Sequence, residues 1–188
     1  MSRSGSLARL RSELLPLRCC VVNIMEVQPD FRDLLALLNA HKVEYLIVGG
    51  YALAFHGAPR FTGDLDIFVR PNSTNAQRVL DALAVFGFRF PNLTARDFQE
   101  QNKVVQLGVP PVRIDLITSI SGVSWEEAEA SKEPGVFGDL PVCYIGRQQY
   151  LSNKRASGRK KDLADIEALG ENTDPEQNKS SVRGKPRR

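Results

Sequence analysis

Three aspartates stand where strands normally avoid them. Asp64 and Asp66 open the segment DLDIFV, and Asp115 sits inside VRIDLIT; both segments alternate or run together apolar residues in the manner of strands. Aspartate is depleted in strands because its short carboxylate competes for backbone hydrogen bonds and packs poorly, so three of them require a compensating purpose. Residues i and i+2 of a strand project to one face, which sets the Asp64 and Asp66 carboxylates side by side. Bare, they repel; with Mg2+ or Mn2+ between them the repulsion becomes ligation. A neighbouring strand could bring Asp115 to the same face and complete a three-carboxylate site for two metal ions, which suits in-line phosphoryl or nucleotidyl displacement.

Two further features lie close by in the chain. Gly49-Gly50 follows the apolar run VEYLIV and precedes a short helical segment, so phosphate oxygens could approach its backbone N–H groups. Arg60 and Thr62 lie on the approach to the aspartate pair, where a guanidinium and a hydroxyl could hold a triphosphate or orient a carboxylate. Each feature has a plainer reading. A Gly-Gly pair after a strand is commonly only a turn, an isolated Asp-x-Asp is commonly a solvated strand end, and Asp115 could be a surface carboxylate paired with Arg113 on its own strand face. The order and spacing of all of them together favour the chemical reading.

These residues need elements to hold them. A helix is expected from Asp30 as N-cap, with Phe31, Leu34, Leu35, Leu37 and Leu38 as its apolar stripe, followed by a buried strand over 43–50 and a short helix over 51–57 ending at Gly57. In the Asp64–Asp66 strand, Leu65, Ile67 and Val69 share the face opposite the carboxylates. Asn72 or Ser73 caps the next helix, which carries Val79, Leu80, Leu83 and Phe86 before Gly87. A weak strand VVQLG and the stronger VRIDLIT follow. Next come an acidic helical stretch after Trp125, a hairpin or edge strand around GVFGDLPVCYIG, and two closing helices broken at Ser157-Gly158. Leu163, Ile166 and Leu169 form the expected stripe of the last helix. The fold class is therefore α/β or α+β, a small mixed sheet flanked by helices.

Charge narrows the partners. The chain carries 25 Lys and Arg against 22 Asp and Glu, net +3. Residues 1–24 hold four arginines and one glutamate, and residues 170–188 hold five basic and three acidic side chains, which leaves 16 basic and 18 acidic groups between them. The excess belongs to the ends, so overall basicity does not argue for nucleic acid; any such case rests on the local cluster Lys154, Arg155, Arg159, Lys160 and Lys161. Three cysteines, two of them adjacent, make neither a disulfide framework nor a zinc set, so a reducing cytoplasm is expected. No apolar run reaches the roughly 18 to 20 residues of a membrane span, and Glu13 and Arg18 interrupt any signal-peptide core. Residues 1–24 read as a disordered extension, with Met25 as candidate initiator, 25–169 as the domain and 170–188 as a disordered basic tail. His56 and Trp125 are expected to pack or cap, and Cys143 to behave as a small buried hydrophobe.

The ordered motifs GGYALAFHG, RFTGDLDI and RIDL resemble those of the minimal nucleotidyltransferase superfamily, the DNA polymerase beta-like fold. The closing segment LSNKRASGRKKDLADIEAL is similar to the last motif of AbiEii-type and related toxin–antitoxin nucleotidyltransferases. The resemblance covers about residues 30–169 and implies an enzyme that transfers a nucleoside monophosphate from a nucleotide triphosphate to a hydroxyl of tRNA, protein or a small molecule. It implies that Asp64, Asp66 and Asp115 hold Mg2+ or Mn2+, and that Gly49 and Gly50 face the triphosphate. Lys154 is implied to contact nucleotide phosphate, and Asp162 to orient it or a neighbouring basic residue. Gly50 stands where many members carry serine, which removes a hydroxyl contact and leaves the backbone donors. A cognate toxin or antitoxin is the implied protein partner, and the rival expectation is an antitoxin-like or catalytically degenerate module that acts by protein binding. The pair Gly49-Gly50 does not make the GxGxxG of a dinucleotide-binding domain.

Overall fold

The computed structural model describes residues 28–109 and 112–171. The expectations for residues 1–24, for Met25 and for the tail beyond Glu171 lie outside the described residues. Helix α1 (Pro29–Ala40) starts one residue ahead of its expected cap: Gln28 is the N-cap, Pro29 takes the first helical position and Asp30 falls in the first turn. Proline suits that position because its missing N–H would have no helical partner, and Asp30 still complements the helix dipole from inside the turn. Phe31, Leu34, Leu35 and Leu38 are fully buried, and Leu37 is half-buried beside them.

Strand β1 is shorter than expected, Tyr45–Ile47, because Gly49 and Gly50 already belong to α2 (Gly49–Phe55). Strand β2 (Asp64–Val69) follows, then α3 (Ser73–Phe86), capped by the Asn72 side chain accepting from the Asn75 N–H and closed by Gly87 in the left-handed region. Strands β3 (Val104–Val109) and β4 (Val112–Ile117) lead to α4 (Trp125–Ala130), whose Ser124 and Glu127 form a reciprocal capping box. The expected hairpin is β5 (Glu133–Phe137) and β6 (Leu140–Tyr144). The chain closes with α5 (Arg147–Ser157) and α6 (Lys160–Ala168), separated at Gly158, whose φ of +62° favours glycine.

The six strands form one mixed sheet in the order β3-β4-β2-β1-β6-β5. Two parallel pairings, β2 with β4 and β1 with β6, are joined by antiparallel neighbours. Leu65, Ile67 and Val69 of β2 join the α1 leucines and Val79 and Leu83 of α3 in one continuous core. Trp125 anchors that core edge-on to Phe68, with ring centroids 5.1 Å apart. Cys143 is half-buried against it, and His56 lies with Nε2 2.8 Å from the Ile145 carbonyl, tying α2 to the end of β6. The stripe expected on α6 is corrected at one position: Ile166 is buried and Leu169 half-buried, but Leu163 is exposed. The α6 face that turns inward carries Asp162 and Asp165 beside Ile166. Among the described residues no helix is long and apolar enough to cross a membrane.

Candidate active site

The parallel pairing of β2 with β4 decides the site. Its register sets Asp64 opposite Arg113 and Asp66 opposite Asp115, so strand alternation puts all four side chains on the face away from Leu65 and Ile114. Asp64, Asp66 and Asp115 line one cavity of about 510 Å³, together with Gly49 and Gly50. The closing helices line the same cavity with Lys154, Arg159 and Lys161. Asp115 is 7% exposed, so it is no surface carboxylate, although Arg113 does face it with Nε 3.2 Å from Oδ1. Arg113 also donates from Nη2 to Asp64 Oδ2 at 2.7 Å.

The two glycines have a steric explanation. A Cβ on Gly49 would collide with the Asp66 carboxylate, and one on Gly50 would stand 2.9 Å from the Thr62 side chain. Gly49 also has φ +64°, which an L side chain rarely adopts. Glycine is thus what allows β2 to close its functional face against the start of α2. Thr62 holds the entry to β2: its hydroxyl donates to the Asp64 carbonyl at 3.2 Å and accepts the Asp64 N–H at 3.4 Å.

Electrostatics set the three carboxylates apart. Desolvation pushes Asp66 above the ordinary carboxylate range, and the neighbouring charges of Asp115 and Asp64 push it further. Burial likewise raises Asp115, against the opposing pull of Arg113. Asp115 Oδ1 and Arg113 Nε are both buried without a hydrogen-bond partner among the described residues, since their contact lacks the directionality of a bond. A cluster short of positive charge, with an orphaned carboxylate oxygen, has the donor chemistry of a hard divalent cation site. As the side chains stand, no three His, Cys, Asp or Glu among the described residues converge closely enough to hold an ion. The Arg113 guanidinium contacts both Asp64 and Asp115.

The second cluster is of the opposite kind. Lys154 is 4% exposed, and its Nζ sits 2.8 Å from Asp162 Oδ1 and 2.8 Å from Asp165 Oδ2. Asp162 also accepts from Arg159 Nε at 2.6 Å, and Asp165 takes a two-pronged contact from Arg60 at 2.8 and 3.2 Å and a hydroxyl from Tyr150 at 3.3 Å. These bonds hold both aspartates below the ordinary range despite the desolvation that works against them. Of the two expectations for Arg60, the structure places it on a carboxylate, that of Asp165. Lys154 borders the cavity with its ammonium held by two carboxylates, and Asp162 holds both Lys154 and Arg159. The basic cluster therefore divides: Lys154, Arg159 and Lys161 face the cavity, Arg155 lies 4.0 Å from Glu171, and Lys160 is exposed. Sequence reasoning missed Asp165, which the three-residue step from Asp162 puts on the same helix face toward Lys154.

No family model matches the chain, and no curated relative matches it. Solved structures do. The antibiotic-resistance factor ANT(2'')-Ia aligns with 74% of this chain and 80% of its own at TM-score 0.52 and 14% identity. A Thermotoga maritima protein described as a nucleotidyltransferase aligns with 79% of this chain and 96% of its own at TM-score 0.50 and 13% identity. The chain has a nucleotidyltransferase fold. In this nucleotidyltransferase fold the paired strands β2 and β4 carry the carboxylates, and the α5–α6 pair supplies basic residues that line the same cavity.

Proposed function

We propose that the protein is a nucleotidyltransferase that moves a nucleoside monophosphate from a nucleotide triphosphate to an acceptor hydroxyl. The observation that supports this best is the β2–β4 register, which sets Asp64, Asp66 and Asp115 together in a cavity also lined by cations, in a nucleotidyltransferase fold. Asp64, Asp66 and Asp115 are the residues to hold Mg2+ or Mn2+. When bound, the metal supplies Lewis-acid neutralisation of the phosphates and lowers the pKa of the attacking hydroxyl.

The chain's own residues do the rest. Arg159 and Lys161 attract the triphosphate and offset its charge in the cavity. Gly49 and Gly50 present backbone with no side chain in the way. The acceptor oxygen bonds to the α-phosphorus as the bond from that phosphorus to pyrophosphate breaks, and the acceptor proton passes to the Asp115 carboxylate. Lys154 and Asp162 act from the wall, by fixing Arg159 and the α5–α6 pair. The acceptor classes to try are a small molecule, tRNA and protein, and a toxin–antitoxin partner is the protein of first interest.

The test is incubation with labelled nucleotide triphosphates and Mg2+ against those three acceptor classes, with wild type beside Asp64→Asn and Asp66→Asn. Metal-dependent label transfer by wild type and its loss in both variants is the expected result. Wild type and variants equally silent, in nucleotide binding as in transfer, would overturn the enzyme and leave a protein-binding module.

A further inference from the structure

Arg113 is the one cation that reaches into the carboxylate cluster from the same strand pair. The register sets its backbone there: it faces Asp64 across β2–β4 and stands two residues before Asp115, so its side chain leaves the strand on the carboxylate face. Its grip is nevertheless incomplete. The bond to Asp64 Oδ2 is well formed at 2.7 Å, while the approach to Asp115 Oδ1 at 3.2 Å leaves a buried donor and a buried acceptor unbonded. Arg60 on Asp165 shows what a finished guanidinium–carboxylate contact looks like in this protein, with both prongs made. Arg113 is held by charge more than by fitted hydrogen bonds, and its side chain keeps 30% of its exposure, which leaves it somewhere to go.

We propose that Arg113 is a built-in competitor of the divalent cation: its guanidinium bridges Asp64 and Asp115, and binding of the cation requires its release, so the two events form one equilibrium. The proposal rests on the metal-binding reading of Asp64, Asp66 and Asp115. Its physical basis is that a guanidinium and a hard cation drawn to the same pair of carboxylates are two positive centres at close spacing, which repel. The bridge then offsets the repulsion between Asp64 and Asp115 until the cation arrives, and leaves Asp66 without a cationic partner from the strands. Once released, the guanidinium lies in the cavity beside the place proposed for the triphosphate.

The experiment is a titration of the full chain with Mn2+ alone, read by its paramagnetic signal and by the melting temperature. Wild type, Arg113→Gln, Arg113→Lys and Asp66→Asn are compared. Removing the competitor should tighten Mn2+ binding in Arg113→Gln about tenfold, the ordinary size of coupling between two linked events. Without Mn2+, Arg113→Gln should melt below wild type, and saturating Mn2+ should close the gap. Arg113→Lys, which keeps the charge and cannot bridge both carboxylates, should fall between. Should Arg113→Gln fail to fold, wild type answers alone: the Arg113 Nε–H resonance should shift and exchange faster with solvent as Mg2+ is added. Equal or weaker Mn2+ binding by the Arg113 variants, or an Nε–H signal indifferent to Mg2+, overturns the competition. If Asp66→Asn loses Mn2+ in that case, the metal reading stands; if wild type itself binds none, both fall.

Discussion

Two charged clusters border one cavity, and the protein treats them differently. On β2 and β4, Asp64 and Asp115 share one half-bonded arginine that does not reach Asp66, and Asp66 and Asp115 are pushed above the ordinary range. On α5 and α6, two more deeply buried aspartates are bonded by Lys154, Arg60, Arg159 and Tyr150, and both are pulled below it. Burial opposes the charged form in both places; what differs is whether the fold supplies enough partners. The helix cluster is finished and belongs to the architecture. The strand cluster is left wanting positive charge, which is the condition the proposed cation site requires.

The contrast can be broken at its strongest point first. Replacing Lys154 with Met leaves Asp162 and Asp165 buried with too few partners, and should cost about 3 to 5 kcal/mol of stability in urea unfolding. Adding Asp162→Asn and Asp165→Asn should restore most of it; a Lys154→Met protein as stable as wild type would mean the helix cluster holds nothing together. Asp66→Asn should do the reverse. Transfer falls by about a hundred- to a thousandfold, as expected when a charge-stabilising group is removed, while the melting temperature without metal stays level or rises. A marked loss of stability on that change would erase the distinction between the clusters.

A smaller effect is expected from Arg60→Lys, which keeps the charge on Asp165 and loses the fork. Urea unfolding should register about 1 to 2 kcal/mol, since a point charge replaces two directed bonds at a mostly buried carboxylate. The pH profile sharpens the comparison most finely. Asp162 and Asp165 titrate lower in the folded chain than in the unfolded one, so their stabilisation is fully present above the ordinary carboxylate pKa. It is lost as pH falls through their depressed folded values. Asp165→Asn should therefore flatten the acid limb of the stability curve, and an unchanged limb would show that the network does not set it. Asp66 carries the opposite sign: its raised value means that stability declines as pH rises from the ordinary carboxylate pKa through the folded one, so Asp66→Asn should ease that decline.

Much of this was written in local patterns. Strand alternation in DLDIFV and RIDL marks the carboxylates, and Asn72, Gly87 and Gly158 mark helix ends through capping and left-handed backbone. Other features had weaker signals. Leu163 fits a helical stripe but is exposed, because the buried face of α6 is spent on Asp162 and Asp165, and periodicity scores a salt-bridged aspartate as solvent-facing. Asp30 yields the cap to Gln28 because Pro29 sets the helix start.

By itself, then, the sequence determined the fold class, the elements and the identity of three unusual aspartates, since these depend on short-range periodicity and on backbone preferences of single residues. Only the tertiary structure decided that Asp66 lies opposite Asp115, that Arg113 bridges Asp64 and Asp115, and that Lys154 is buried between two carboxylates. Those facts follow from strand order, pairing register and helix packing. The partners they join are up to about fifty residues apart in the chain, as Asp64 and Arg113 are, a separation over which residue patterns carry no information about contact.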